Sequence, residues 1–146
     1  MSQARIVGAT EGRVLDVLGD RIVVKTHGSE TEGRFSLAEF TSPKDGGPPP
    51  HRHAWREGYW LLEGEIAFTV EGRTETLTPG SWIVVPAGVV HTLKTLSDGA
   101  KYLMFSEPAG VENFLVDCHA ETAGDPTNLE KIIRVATKHG IEPVLG

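Results

Sequence analysis

The stretch Tyr59-Trp60-Leu61-Leu62-Glu63-Gly64-Glu65-Ile66-Ala67-Phe68-Thr69-Val70-Glu71-Gly72-Arg73-Thr74-Glu75-Thr76-Leu77-Thr78-Pro79-Gly80-Ser81-Trp82-Ile83-Val84-Val85 decides the fold. Its β-branched and aromatic residues fall in short runs, and glycine or proline follows most of them. Tyr59 to Glu63 and Glu65 to Val70 read as a strand pair pivoting on Gly64. Glu71-Gly72 is a two-residue hairpin signal leading into Arg73 to Leu77. Pro79-Gly80 then turns the chain into Trp82 to Val85.

The same rhythm extends outward in both directions. Upstream, Arg13 to Val17, Arg21 to Thr26 and Arg34 to Thr41 read as strands, and the proline-glycine run from Pro43 to Pro50 breaks regular pairing. Downstream, Pro86-Ala87-Gly88 turns the chain again before strands at His91 to Thr95 and Tyr102 to Ser106. Glycine makes up 17 of 146 residues and is dispersed, which fits many tight turns between many short strands. No helical pattern separates these strands, so the pattern predicts an antiparallel barrel or sandwich rather than a βαβ sheet.

The period changes near the carboxyl end. Val111, Phe114, Leu115 and Cys118 fall at i, i+3, i+4 and i+7, the stripe of a helix about two turns long. Asp125-Pro126 offers an N-cap and a first-turn proline, Leu129, Ile132, Ile133 and Ala136 repeat the stripe, and Gly140 ends it. These helices are expected against the outside of the β body. The division expected is one domain over 1–146, with strands at 13–41, a motif core at 46–95 and a helical segment at 110–140.

Composition narrows the function classes. At 39% apolar and 23% charged residues, the chain can bury a core without disulfides, and its one cysteine, Cys118, reads as a packing residue. Fourteen Lys+Arg against twenty Asp+Glu give a net charge of −6 with no basic cluster, which argues against nucleic acid as a partner. No apolar run is long enough to cross a bilayer, and Met1 to Arg5 lack the start of a secretory signal, so a soluble cytoplasmic protein is expected.

Chemistry concentrates at His51-Arg52-His53, with Glu57 four residues after the second histidine. On a strand, side chains two apart share a face, so His51 and His53 point to one place, and Glu57 has the same parity. Imidazoles with one carboxylate form a nitrogen/oxygen set suited to iron, manganese, nickel, copper, cobalt or zinc. No glycine-rich nucleotide loop and no nucleophile elbow is present. Arg52, Arg56 and Arg73 read as solvated surface.

Two blocks of spacing resemble the paired motifs of the cupin superfamily. Its first motif, G-x5-H-x-H-x3,4-E-x6-G, is matched at His51, His53, Glu57 and Gly64, with Gly46 or Gly47 slightly closer than the usual lead glycine. Its second, G-x5-P-x-G-x2-H-x3-N, is matched at Gly80, Pro86, Gly88 and His91, with Thr95 where asparagine is usual. The flanking residues look like the single-domain, quercetin-dioxygenase-like branch. The resemblance implies an all-β double-stranded β-helix, or jelly roll, holding one divalent transition metal per chain on His51, His53, Glu57 and His91. Thr95 puts any outer role of the missing amide in doubt, but not a ligand.

Four protein ligands leave one or two positions on the ion for water, dioxygen or a chelating compound. The leading expectation is therefore a metal-dependent dioxygenase acting on a small aromatic or enol-type compound, with Glu57 ligating or taking a proton. A metal-containing binder or sensor and an isomerase or lyase are the alternatives. Tyr59, Leu61, Phe68 and Trp82 are the candidate pocket residues. A homodimer is expected, both because the early strands need an edge to pair with and because proteins resembling this one are commonly dimeric.

Overall fold

The computed structural model describes residues 3–144 and consists of two antiparallel sheets with two short helices. The strands are β1 (Arg13–Val17), β2 (Asp20–Thr26), β3 (Ser36–Pro43), β4 (His51–Arg52), β5 (Arg56–Glu63), β6 (Ile66–Val70), β7 (Arg73–Leu77), β8 (Trp82–Val85), β9 (His91–Thr95), β10 (Gly99–Glu107) and β11 (Glu142–Pro143). The helices are α1 (Val111–Glu121) and α2 (Leu129–Lys138). One sheet has the order β1-β2-β3-β10-β5-β8 and the other β11-β4-β9-β6-β7, the jelly-roll arrangement expected from the strand-and-turn rhythm.

Alternation along each strand builds the interior. In β3 the residues Ser36, Ala38, Phe40 and Ser42 are buried and their neighbours are not. Facing residues then stack into rows: Ile22 lies opposite Phe40, Phe40 opposite Tyr102, and Tyr102 opposite Leu61. The second sheet contributes Ile66, Phe68 and Leu93, with Phe68 and Leu93 directly paired. Burial of these side chains contributes roughly 25 cal/mol per Å² of apolar surface removed from water.

The structure differs from the sequence reading in two places. Tyr59–Glu63 and Glu65–Val70 do not form a hairpin, because β5 pairs with β10 and β8 while β6 pairs with β7 and β9. Gly64 is where the chain leaves one sheet for the other; its φ of 85° is left-handed, and a Cβ there would collide with the carbonyl oxygen of Gly99. The second helix starts at Leu129, capped by the Asn128 side chain accepting from the Lys131 N–H, rather than at Asp125-Pro126. Asp125 instead accepts from the Asn128 amide.

The helices lie outside the strands, as the helical stripes at the carboxyl end lead one to expect. α1 packs on β1, α2 packs on β11, and the helices pack on each other, so the pair bridges the β1 edge of one sheet to the β11 edge of the other. The turn at Leu18-Gly19 is held there by a hydrogen bond from the Leu18 N–H to the Pro126 carbonyl. The early strands find their edge within the chain, since β2 pairs with β3 and β1 with β2. No helix among the described residues is long and apolar enough to cross a membrane.

Candidate metal centre

His51 on β4 and His91 on β9 are direct cross-strand partners in one sheet. Glu57 stands on β5 in the other sheet, opposite Val85 on β8. His53 lies on the segment joining β4 to β5. The four side chains therefore meet in the space between the sheets, and one potential ligand atom from each lies within 4.8 Å of all the others. The turn Pro86-Ala87-Gly88 positions them as well: the Gly88 N–H donates to the His53 carbonyl at 2.7 Å, so a glycine of the second block holds a histidine of the first.

Each imidazole is oriented by its own backbone contact. Nδ1 of His51 lies 3.0 Å from the Pro49 carbonyl, that of His53 3.1 Å from Trp55, and that of His91 2.9 Å from Val89. A carbonyl only accepts, so each Nδ1 carries the hydrogen and each Nε2 presents a lone pair. Nε2 of His53 and of His91 are buried and without a hydrogen-bond partner. They approach Glu57 Oε1 at 3.2 and 3.4 Å. Lone pairs and a carboxylate converging this closely repel each other unless a cation sits between them. The donor set, three imidazoles with one carboxylate, fits a divalent transition metal.

The carboxylate is also fixed from behind. The Tyr59 hydroxyl donates to Glu57 Oε1 at 2.6 Å, and the Trp55 indole N–H donates to Oε2 at 3.0 Å. Burial alone would raise the Glu57 carboxyl, but hydrogen bonding and charge from His53 and His91, whenever a proton rather than a metal sits on their Nε2 atoms, bring it well below the usual carboxylate range. Burial, and then Glu57, hold the Tyr59 phenol well above its ordinary value, so it remains a donor. Burial pushes His51 down to about 4, with His91 acting in the same direction, which leaves its ring neutral at physiological pH.

The site opens into a cavity of about 120 Å³. Ile22, Phe40, Met104, Leu93, Leu115 and Ile132 are among its apolar lining, so residues of both sheets and both helices border it. Tyr59 lines it. Leu61 is buried beneath Tyr102 and Phe68 stands parallel to His91 with centroids 6.3 Å apart; neither lines the cavity. Trp82 is corrected outright: it is 51% exposed on the outer surface, because β8 turns Ile83 and Val85 inward. From there it covers Gly58, where a Cβ would collide with the indole.

Sequence reasoning missed three residues. Trp55 was signalled only by its place two residues before Glu57. Tyr102 and Asp20 also line the cavity, and nothing in their local sequence marks them. Asp20 is 6% exposed, and burial raises its carboxyl to about 6, with the Ser42 hydroxyl opposing the rise. Its folded value lies above its unfolded one, so its contribution is full at low pH and is lost as pH rises through about 6. Asp20→Asn should therefore gain about 2 kcal/mol relative to the parent between pH 4.5 and pH 7.5. Urea unfolding of both proteins at the two pH values measures the difference.

Comparison with known proteins agrees with this geometry. Residues 38–106 match the cupin domain family. The chain is 30% identical over 97 residues to the quercetin 2,3-dioxygenase of Bacillus subtilis, an alignment covering 66% of this chain and 27% of that protein. It thus spans about a quarter of the length of that relative, and a second relative from Streptomyces coelicolor is covered over 53% of its length at 36% identity. Among solved structures, the polyketide cyclase RemF from Streptomyces resistomycificus aligns over 72% of this chain and 80% of its own, at 25% identity and a TM-score of 0.63. KdgF from Halomonas sp. aligns over 75% of this chain and 99% of its own, at 17% identity and a TM-score of 0.67, a likeness of fold.

Proposed function

From the premise that this chain belongs to the cupin superfamily, we propose that it is a metal-dependent enzyme of dioxygenase type acting on a small aromatic or enol-type compound. The observation that carries this reading is the meeting of His51, His53, Glu57 and His91 ligand atoms, with buried and unpartnered imidazole nitrogens, at the wall of an apolar cavity. A divalent transition metal held there supplies Lewis-acid polarisation of a bound oxygen and, if redox-active, dioxygen chemistry. The protein's own residues supply the rest. Carbonyls at positions 49, 55 and 89 fix the three rings, Tyr59 and Trp55 fix the carboxylate, and the apolar walls exclude bulk water. Glu57 is the group placed to hold a substrate proton, since it is the only carboxylate at the cluster among the described residues.

The likeness to quercetin 2,3-dioxygenase supports the oxygen-dependent form of the reading. Metal-loaded protein offered flavonols, β-diketones and catechols should consume oxygen with at least one of them; absence of uptake with every one overturns the dioxygenase. The likeness to a polyketide cyclase favours a second reading, in which the same site rearranges an enol-type compound without oxygen. Product formed under anaerobic conditions identifies it.

The carboxylate's supports give a further expectation. Tyr59→Phe removes a 2.6 Å hydrogen bond and nothing of comparable size, so metal affinity should fall roughly 10–100-fold while the fold is kept. Competition against a metal indicator, with circular dichroism alongside, measures both. We also propose that the chain is a homodimer and that residues 1–146 act as one domain; a monomer mass at micromolar concentration refutes the dimer.

A further inference from the structure

The cavity has a second polar end. Asp20 opens β2 directly after the Leu18-Gly19 turn, and its carboxylate lines the same cavity as His51, His53 and Glu57. Along the inner face of its sheet, two rows, that of Ile22, Phe40 and Tyr102 and that of Ala38, Met104 and Tyr59, separate it from the row that carries Glu57. Asp20 is more than nine-tenths buried; the Ser42 hydroxyl on the neighbouring strand supports its carboxyl, but its Oδ1 makes no hydrogen bond. Among the described residues, no lysine or arginine lines the cavity to pair with it. A buried acceptor left unmatched costs about 1–3 kcal/mol, and proteins keep such groups where a ligand meets them.

Tyr102 stands between the two ends. Burial, then Asp20, then Glu57, hold its phenol well above its ordinary value, so it remains a neutral wall between two acidic groups. The rest of the lining is apolar. A ligand that fills this space is therefore largely hydrocarbon, and an anionic group facing Asp20 is disfavoured once that carboxyl ionises.

We propose that Asp20 is a specificity-determining residue: its carboxylate accepts a hydrogen bond from a hydroxyl at the far end of a small, otherwise apolar ring compound held in this cavity. The inference rests on the cavity assigned above as the substrate site, and it names the compound's class more narrowly, as an apolar ring that carries a hydroxyl on the side away from the metal-site residues. A cavity of this volume accommodates a single ring.

The test uses two probes that differ by one hydroxyl, 4-methylphenol and toluene, titrated into the purified protein by calorimetry with its metal content recorded. The parent should prefer 4-methylphenol by roughly tenfold, the size expected for a hydrogen bond to a charged acceptor. Asp20→Leu, alike in branching but without an acceptor, should bring that preference below about twofold. Asp20→Asn, which disturbs packing least, should lower it at least about threefold by replacing a charged acceptor with a neutral one. The inference is overturned if the parent shows no preference, or if either folded variant keeps the parental ratio. An Asp20-dependent preference in protein that takes up no metal supports this inference while overturning the enzyme reading. A preference independent of Asp20 in metal-loaded, oxygen-consuming protein does the reverse.

Discussion

His53→Ala and His91→Ala should each abolish divalent-metal retention, an effect larger than the roughly 10–100-fold expected from losing an outer hydrogen-bond partner. Both imidazoles are almost fully buried, and their Nε2 atoms face Glu57 with no other partner. Removing one leaves a cavity that water fills poorly and a ligand set short of one nitrogen. The parent protein should be stabilised by added metal by about 2.7 kcal/mol at a free concentration 100 times its dissociation constant. The variants should gain nothing at the same concentration. Elemental analysis of the purified proteins and thermal melts with and without chelator measure both effects. Equal metal content or equal stabilisation in parent and variants would sink the assignment of these residues as ligands. Without metal, the variants should lose less than an ordinary buried truncation, since each deletion also removes one of several converging acceptors.

Gly47→Ala is the second change expected to act strongly, and it acts on the scaffold. Gly47 has a φ of 143°, and a Cβ there would run into the backbone carbonyl of Leu93 on β9. That carbonyl belongs to a strand paired with β6 through Phe68 and with β4 through His51, so it has no room to yield. Next to it, the Pro48 carbonyl accepts from the Thr92 hydroxyl at 2.6 Å, which ties the proline-glycine run to the same strand. The substitution should cost about 4 kcal/mol or more, in the range reserved for backbone strain and core disruption. Gly72→Ala is the matched control: its φ of 75° is also left-handed, but a Cβ there meets nothing within 4 Å. It should cost about 1–2 kcal/mol, the conformational penalty alone. Urea unfolding of both variants separates the two contributions, and similar costs would refute the steric account.

The fold was readable because period-two alternation and turn residues are local properties. Ser36 to Ser42 alternate in the structure as the sequence pattern requires, and Glu71-Gly72 does join β6 to β7. Pairing between strands was not readable, because it depends on which edges meet. Adjacent runs at Gly64 suggested a hairpin, whereas the chain there crosses between sheets. The same ignorance of register put Trp82 in the pocket; which parity of β8 faces inward follows from its pairing with β5, where Trp82 lies opposite the exposed Trp60 and Val85 opposite the buried Glu57.

The site divides along the same line. His51, His53 and Glu57 lie close in sequence, so their spacing alone suggested a shared target. His91 entered only through the resemblance to a known family, although the structure makes it the direct cross-strand partner of His51. Asp20 and Tyr102 are far from the motifs in sequence, and only the stacking of β2, β3 and β10 brings them to the same cavity. Thr95, in place of the usual asparagine, uses its backbone to bond Gly46 and Asp45, and its side-chain oxygen has no partner.

The shortest strand in the site carries a temporal implication. β4 is flanked on one side by β9 and on the other by β11, and the Arg52 and Pro50 backbone region is joined to Glu142 and Val144 by an ion pair and a hydrogen bond. During synthesis, the ribbon bearing the first histidine therefore waits for ninety residues' worth of translation before its second neighbour exists. Seating of His51 is thereby coupled to synthesis of a segment far downstream: a nascent chain stalled short of position 142 carries the site's histidines without the strand that braces β4.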